Sequence, residues 1–326
     1  MFSLNLDKQQ DTRTQLVENQ YSEMVQVTVA EVSKALLGKE HQIRLSLCCL
    51  FSGGHLLLED LPGMGKTTLS YALAKALGMQ YNRIQFTSDL LPADILGISI
   101  YDQSSGQFSF HSGPIFNQLV LADEINRTTP KTQSALLEAM EEHQVTVEGE
   151  TRRLPDPFFV IATQNPVNLA GTYPLPESQL DRFLMRLRLG YPDQRAEREL
   201  LEMDTERDKV ESVQQCLQLQ QVTDFRKRSA QVKASSALLD YVQRLIAFTR
   251  SHEEFHFGLS PRGSLALMRA AKTWALMCGR DHVVPEDVQT VLPAVVEHRL
   301  RAMSDEDGHT GAALVQRLLS EVDIID

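Results

Sequence analysis

Apolar residues recur along this chain in two rhythms. From residue 21 to 52 they fall at helical spacing, with Met24, Val25, Val29, Val32, Leu36 and Leu37 followed by Ile43, Leu47 and Leu50. Gly38-Lys39-Glu40 interrupts that run and predicts an elbow between two helices. Leu56-Leu57-Leu58 then reads as a short buried strand, and a helix follows over about 66–77, closed by Gly78. Ile84-Gln85-Phe86, Gln118–Ala122 and Phe158–Ala162 are further short apolar runs lying between helical patterns. Runs of that kind predict a parallel sheet buried on both faces, extending to about residue 190.

Two segments depart from this alternation. Residues 98–110 switch between apolar and polar around Ser104-Ser105-Gly106, and residues 144–154 do so around Glu148-Gly149-Glu150. Both predict hairpins, the second with Val145 and Val147 facing Arg152 and Leu154. From Tyr191-Pro192-Asp193 onward the pattern is all helical. One amphipathic stripe is Leu238, Leu239, Val242, Leu245 and Ile246, and another is Leu265, Leu267, Met268, Ala271, Trp274 and Ala275. A third helix starts at Pro285, with Val288, Val291, Leu292, Val295 and Val296 inward. The pattern thus divides the chain into a polar arm over 1–20, an α/β domain over 21–190 and a smaller all-helical domain over 191–326.

Composition narrows the classes. At 326 residues, 42% hydrophobic and 23% charged, the chain has material for two domains with sizeable cores. Its net charge of −11 argues against a surface that binds nucleic acid as a whole, although a local basic groove is compatible with it. The first 20 residues carry no apolar signal core and no run of about 18 apolar residues occurs, so neither secretion nor a membrane span is expected. Cys48, Cys49, Cys216 and Cys278 lack metal-site spacing. The vicinal pair is expected as buried thiols, and a reducing cytoplasm fits best. His252 and His256 have the i, i+4 spacing of a metal pair, but no third ligand is near and packing is the favoured reading.

The chemistry concentrates in four places. Asp60-Leu61-Pro62-Gly63-Met64-Gly65-Lys66-Thr67-Thr68 lies between the first strand and its helix, the context a P-loop requires. Gly63 and Gly65 let successive N–H groups face one concavity at a helix N-terminus, Lys66 would reach the β- and γ-phosphates of ATP, and the Thr67 hydroxyl would ligate Mg²⁺. The usual motif begins with Gly, and here Asp60 stands in that place. Next, Leu119–Ala122 delivers Asp123 and Glu124 at a strand's C-terminal end, where Asp123 would hold Mg²⁺ through water and Glu124 would polarise the attacking water. A third strand ends in Thr163-Gln164-Asn165-Pro166, placing the Asn165 amide where a water-orienting group is needed. Finally Arg182, with Arg186 and Arg188 as competitors at near-helical spacing, supplies a guanidinium for charge developing on a transferring phosphoryl group, and Arg262 opens a helix in the second domain, where it could sense the γ-phosphate.

Leu61–Thr68, Ala122–Arg127, Ala162–Pro166 and Leu180–Phe183, in that order, resemble an AAA+ ATPase. Within that superfamily, Gln85–Asp94, Gly113-Pro114-Ile115-Phe116 and Glu124-Ile125-Asn126-Arg127 are similar to the MoxR family, over about residues 35–300. The resemblance implies a P-loop NTPase core of parallel sheet flanked by helices, with an all-helical lid. It also implies ATP and Mg²⁺ as cofactors, Walker A at Gly63–Thr67, Walker B at Asp123-Glu124, sensor 1 at Asn165, an arginine finger at Arg182 and sensor 2 at Arg262. Hexameric rings follow from the same likeness, as does chaperone-like remodelling of protein partners, often ones with von Willebrand factor A domains. The hairpins then correspond to the insertions of this clade, and Tyr101, Phe108 and Phe110 become candidates for substrate contact. Two relatives in the clade offer alternatives: a magnesium-chelatase-like metal-insertion subunit and a DNA-remodelling motor. A non-enzymatic nucleotide switch is disfavoured because Glu124 and Arg182 are both present.

Overall fold

The computed structural model describes residues 19–104, 106–165, 172–202, 210–302 and 311–324. The polar arm up to residue 18 and Pro166 lie outside the described residues. Two compact units emerge. One comprises residues 31–42 and 53–219, and the other residues up to 30, 43–52 and 220–326.

The first unit is built on a five-stranded sheet. Its strands are β1 (Leu56–Glu59), β2 (Tyr81–Gln85), β5 (Leu119–Asp123), β8 (Phe159–Gln164) and β9 (Met185–Leu187), in the order β2-β5-β8-β1-β9. Every pairing is parallel. β1, β5 and β8 are buried along almost their whole length, as a parallel sheet sandwiched between helices requires. Leu57, Val120, Val160 and Ala162 share one core with Leu136, Leu137 and Met140 of the helix Pro130–Glu142, and each buried leucine contributes about 2 kcal/mol of apolar transfer.

The sheet differs from the sequence expectation at two strands. β2 begins at Tyr81 and ends before Phe86, and β9 replaces the near-helical spacing read around Arg186. Three residues are too few for apolar periodicity to separate helix from strand. Pairing with β1, at Leu56↔Met185 and Leu58↔Leu187, settles the matter.

Both hairpins form. β3 (Gly97–Asp102) pairs with β4 (Gln107–Ser112), placing Tyr101 opposite Phe108. β6 (Gln144–Val147) pairs with β7 (Glu150–Arg153), so Val145 faces Arg152 as expected. Val147 faces Glu150, however, and the Leu154 N–H bonds to the His143 carbonyl beyond the ladder.

The second unit is helical, taking residues 19–30 of a helix that runs to residue 33, with others at Glu40–Phe51, Leu219–Ala230, Ser236–Ser251, Pro261–Met277, Pro285–Val296 and Gly311–Glu321. Ser235 and Ser260 cap two of them, accepting from the N–H groups of Leu238 and Gly263. Two details depart from the helical reading. Leu265 is 74% exposed, the inward face being Ala266, Leu267, Ala270 and Ala271. A short antiparallel ladder also joins β10 (Phe255–Phe257) to β11 (Arg301–Ala302).

His256 lies in that ladder, while His252 ends the preceding helix and stacks on Phe248 at 4.8 Å. Cys48 and Cys49 are buried free thiols, and burial pushes Cys48 well up.

The compact units change over between residues 219 and 220. Residues up to 219 group with the sheet-containing unit, and Glu211, Cys216 and Leu217 are tied to the end of its helix Lys66–Ala76: the Cys216 and Leu217 N–H groups bond to the Ala76 carbonyl, and Lys75 donates to the Glu211 carbonyl at 2.6 Å. Residues 43–51 group with the helical unit, where Cys48 bonds to Ala270 and Phe51 stacks on Phe225 at 4.2 Å.

Candidate active site

β1, β5 and β8 are neighbours, so their C-terminal ends bring Glu59, Asp123 and Gln164 to one rim of the sheet. From that rim the chain continues as Asp60 and the P-loop, as Glu124, and as Asn165.

In the P-loop, Gly63 and Gly65 both sit at positive φ (82° and 86°). Gly65 is doubly constrained, since a Cβ there would lie 2.7 Å from Leu36 Cδ1. The helix Lys66–Ala76 starts directly after it with no side-chain cap, leaving its first-turn N–H groups for an anion. Pro62, Gly63 and Thr67 are exposed, Met64 and Thr68 half-buried.

Lys66 is buried, its Nζ donating to the carbonyls of Asp60 (2.5 Å) and Leu61 (3.2 Å) and to Asn165 Oδ1 (3.4 Å). Burial lowers its pKa, and Asp60, Asp123 and Glu124 pull it back up.

Asp60 stands where the motif has glycine, and its side chain turns out of the cradle. Oδ2 accepts from the Gly190 N–H at 2.7 Å and Oδ1 from the Leu61 N–H at 3.1 Å. The residue therefore ties the start of the P-loop to the turn after β9. Near this turn Lys39 donates to the Tyr191 carbonyl at 2.6 Å, and Asp193 caps the next helix through Ala196 N–H.

At the end of β5 the two carboxylates are held differently. Asp123 is buried; Oδ1 accepts from Thr163 Oγ1 (2.6 Å), and Oδ2 from Arg83 Nη2 (2.6 Å) and Nε (3.0 Å). Glu124 adopts the left-handed conformation (φ 58°, ψ 47°), rare for a residue with a Cβ, and its N–H donates to Thr163 Oγ1 at 2.8 Å. Its carboxylate collects Asn165 Nδ2 (2.8 Å) on Oε1, and Gln85 Nε2 and Arg127 Nη1 (both 2.9 Å) on Oε2. Lys66, Asn165 and Glu124 thus form one hydrogen-bonded line.

The arginines separate clearly. Arg186 is nearly buried and pairs with Glu59 at 3.3 Å; Arg188 reaches the same oxygen at 3.1 Å, and Gln164 Nε2 donates to Glu59 Oε1 at 2.6 Å. Burial pushes the Glu59 carboxyl up, but Arg186, Arg188 and Gln164 more than offset this and hold it below its ordinary range. Both competitors are therefore engaged with a residue of their own chain. Arg182 follows the short helix Glu177–Leu180; it donates to the Leu137 carbonyl at 2.8 Å and pairs with Glu141 at 3.1 Å. Arg262 is exposed in the first turn of Pro261–Met277, in the helical unit.

Lys66, Asp123, Glu124 and Asn165 therefore converge on one rim. Gln85, Arg83, Arg127 and Thr163 join them without having been singled out from the sequence. The available signal was the i, i+2 pair Arg83 and Gln85, which a strand beside an acidic strand end must point the same way.

The donor set suits a nucleotide with a divalent cation. It comprises a glycine cradle at an uncapped helix start, a lysine, an exposed threonine hydroxyl and a buried carboxylate already matched by a cation.

Comparison with known proteins gives a consistent picture. Residues 55–185 match the model described as "ATPase family associated with various cellular activities (AAA)", and residues 247–318 match an AAA lid domain. The chain is 45% identical over 298 residues to the Bacillus subtilis protein YeaC, covering 91% of this chain and 93% of that one. It is 41% identical over 295 residues to chaperone MoxR1 of Mycobacterium tuberculosis, covering 85% and 77% respectively. A crystal structure of a candidate ATPase from Cytophaga hutchinsonii superposes with a TM-score of 0.85 at 35% identity, covering 98% of this chain and all of that one.

Proposed function

Since the chain belongs to the MoxR family of AAA+ ATPases, we propose that it hydrolyses ATP at the rim formed by β1, β5 and β8 and uses the cycle to remodel or activate partner proteins. The observation that carries this reading is the hydrogen-bonded line from Lys66, at the end of the P-loop, through Asn165 to Glu124. In it Lys66 and the N–H groups of Gly63–Thr68 bind the phosphates. Thr67 and Asp123 would hold Mg²⁺, which supplies neutralisation of charge on the β- and γ-oxygens. Glu124 takes the proton of the attacking water, Asn165 orients that water, and Arg182 meets charge developing on the γ-phosphoryl of a neighbouring subunit in a ring. Arg262 would act from the helical unit as the sensor.

Lys66→Ala tests the cradle. It removes the ammonium charge proposed to face the phosphates and also the donor that joins Asp60, Leu61 and Asn165. Fluorescent ATP-analogue binding should become undetectable at concentrations that saturate the wild type. Near-normal affinity would move the nucleotide site elsewhere.

The β3–β4 hairpin is the proposed client-facing element, the clients including proteins with von Willebrand factor A domains. Phe108 is 74% exposed with its ring 5.2 Å from that of Tyr101, while Phe110 is clamped by the Arg152 guanidinium at 3.9 Å. A Tyr101→Ala, Phe108→Ala protein should keep basal ATPase within about twofold, because surface changes away from buried or functional features are usually near neutral. It should lose remodelling of its partner. Full remodelling by this variant would remove the hairpin from the client path.

A further inference from the structure

We propose that the Arg83 guanidinium is an internal counter-ion of Asp123, occupying the carboxylate face a divalent cation needs, so that metal capture requires Arg83 to swing away. The inference rests on the reading that Asp123 is a metal-binding residue, and it concerns what that residue does before metal arrives.

Asp123 is 7% exposed, and an ionised carboxylate at such a position requires a compensating charge. Arg83, on the edge strand β2, supplies it in an unusual way. Nε and Nη2 both converge on Oδ2, at 3.0 and 2.6 Å, rather than spanning the two oxygens as a fork. Oδ1 is left to Thr163. The oxygen that the guanidinium caps is thus the one not engaged with β8 on the other side of the strand.

The arginine side chain is 48% exposed, so its retreat into water carries little desolvation cost. Arg83 Nη2 also donates to Gln85 Oε1 at 2.9 Å, and Gln85 Nε2 donates to Glu124 Oε2 at 2.9 Å. Asp123, Arg83, Gln85 and Glu124 consequently form a continuous chain. Displacing Arg83 from Asp123 disturbs one of the bonds that orients the amide holding Glu124. Metal arrival and the setting of the proposed base would be linked through a single strand.

A competitor and a scaffold predict opposite signs. If Arg83 competes with the cation, Arg83→Gln should tighten Mn²⁺ binding in the presence of saturating ADP, read from the free-ion paramagnetic resonance signal, by about tenfold. Arg83→Lys, which keeps the charge, should stay within about threefold of wild type. Mn²⁺ affinity that is unchanged or weaker in Arg83→Gln overturns the proposal.

Asp123→Asn separates this failure from failure of the underlying reading. If that variant still binds Mn²⁺ normally, Asp123 is not a metal residue, whatever Arg83 does. The unmodified chain gives a second readout that needs no variant to fold. The Arg83 Nε–H should exchange slowly with solvent in metal-free protein and rapidly once Mg²⁺ and ADP are both added. Protection that survives the metal overturns the proposal as well.

Discussion

Glu124→Gln is expected to bind ATP as the wild type does and to lose steady-state turnover by about 10²–10⁴-fold, the range for removing a general base. The substitution preserves size and leaves the oxygen-bearing end near its donors, but an amide cannot accept the proton of an attacking water. Binding should survive because the proposed phosphate contacts belong to Lys66 and the P-loop, which Glu124 reaches only through Asn165. The backbone underlines the assignment. A β-carbon at φ 58° costs on the order of 1–2 kcal/mol, and the fold holds Glu124 there through the Thr163 hydroxyl and three side-chain donors. Phosphate release and analogue binding, measured on the same preparation, check both halves. Turnover equal to wild type would strip Glu124 of the base role and leave the strained conformation without its functional explanation.

Arg182→Ala is expected to spare nucleotide binding and lower turnover by about 10³-fold or more, as for arginine fingers. Among the described residues, Arg182 spends its guanidinium on the C-terminal part of the helix Pro130–Glu142, through Leu137 and Glu141. That pair is partly exposed and contributes on the order of 1 kcal/mol or less, so the arginine can be drawn to a stronger anion at little cost. Arg186 differs, because it is nearly buried against Glu59, and breaking a buried ion pair costs about 3–5 kcal/mol. Mixing gives the decisive measurement. Arg182→Ala and Lys66→Ala proteins, each inactive alone, should regain activity together if the finger acts across a subunit boundary. An Arg182 acting within its own chain would give no recovery, since every subunit lacks one of the two groups.

The two kinds of information divide along a physical line. The P-loop, the acidic pair at 123–124, the amide at 165 and both hairpins were legible because each is a local object. A strand, a turn and a helix start lie within about a dozen residues, and short apolar runs announce a sheet buried on both faces. Their gathering at one rim follows from strand order, which chain alternation implies only in outline. The partners of these residues were another matter. Asp60 meets Gly190 across 130 positions, Gln164 meets Glu59 across 105, and Arg83 meets Asp123 across 40. Strand β9 was invisible to periodicity at three residues, and with it the pairing that assigns Arg186 and Arg188 to Glu59. The same holds for Cys216 and Leu217, in a stretch read as helical yet tied by backbone bonds to Ala76 at the end of the helix Lys66–Ala76. The sequence by itself determined that the P-loop, Asp123, Glu124 and Asn165 would stand at strand ends. Only the register of parallel strands, set by packing between segments far apart in the chain, decided which charge each one faces and why an aspartate could stand in the first glycine's place.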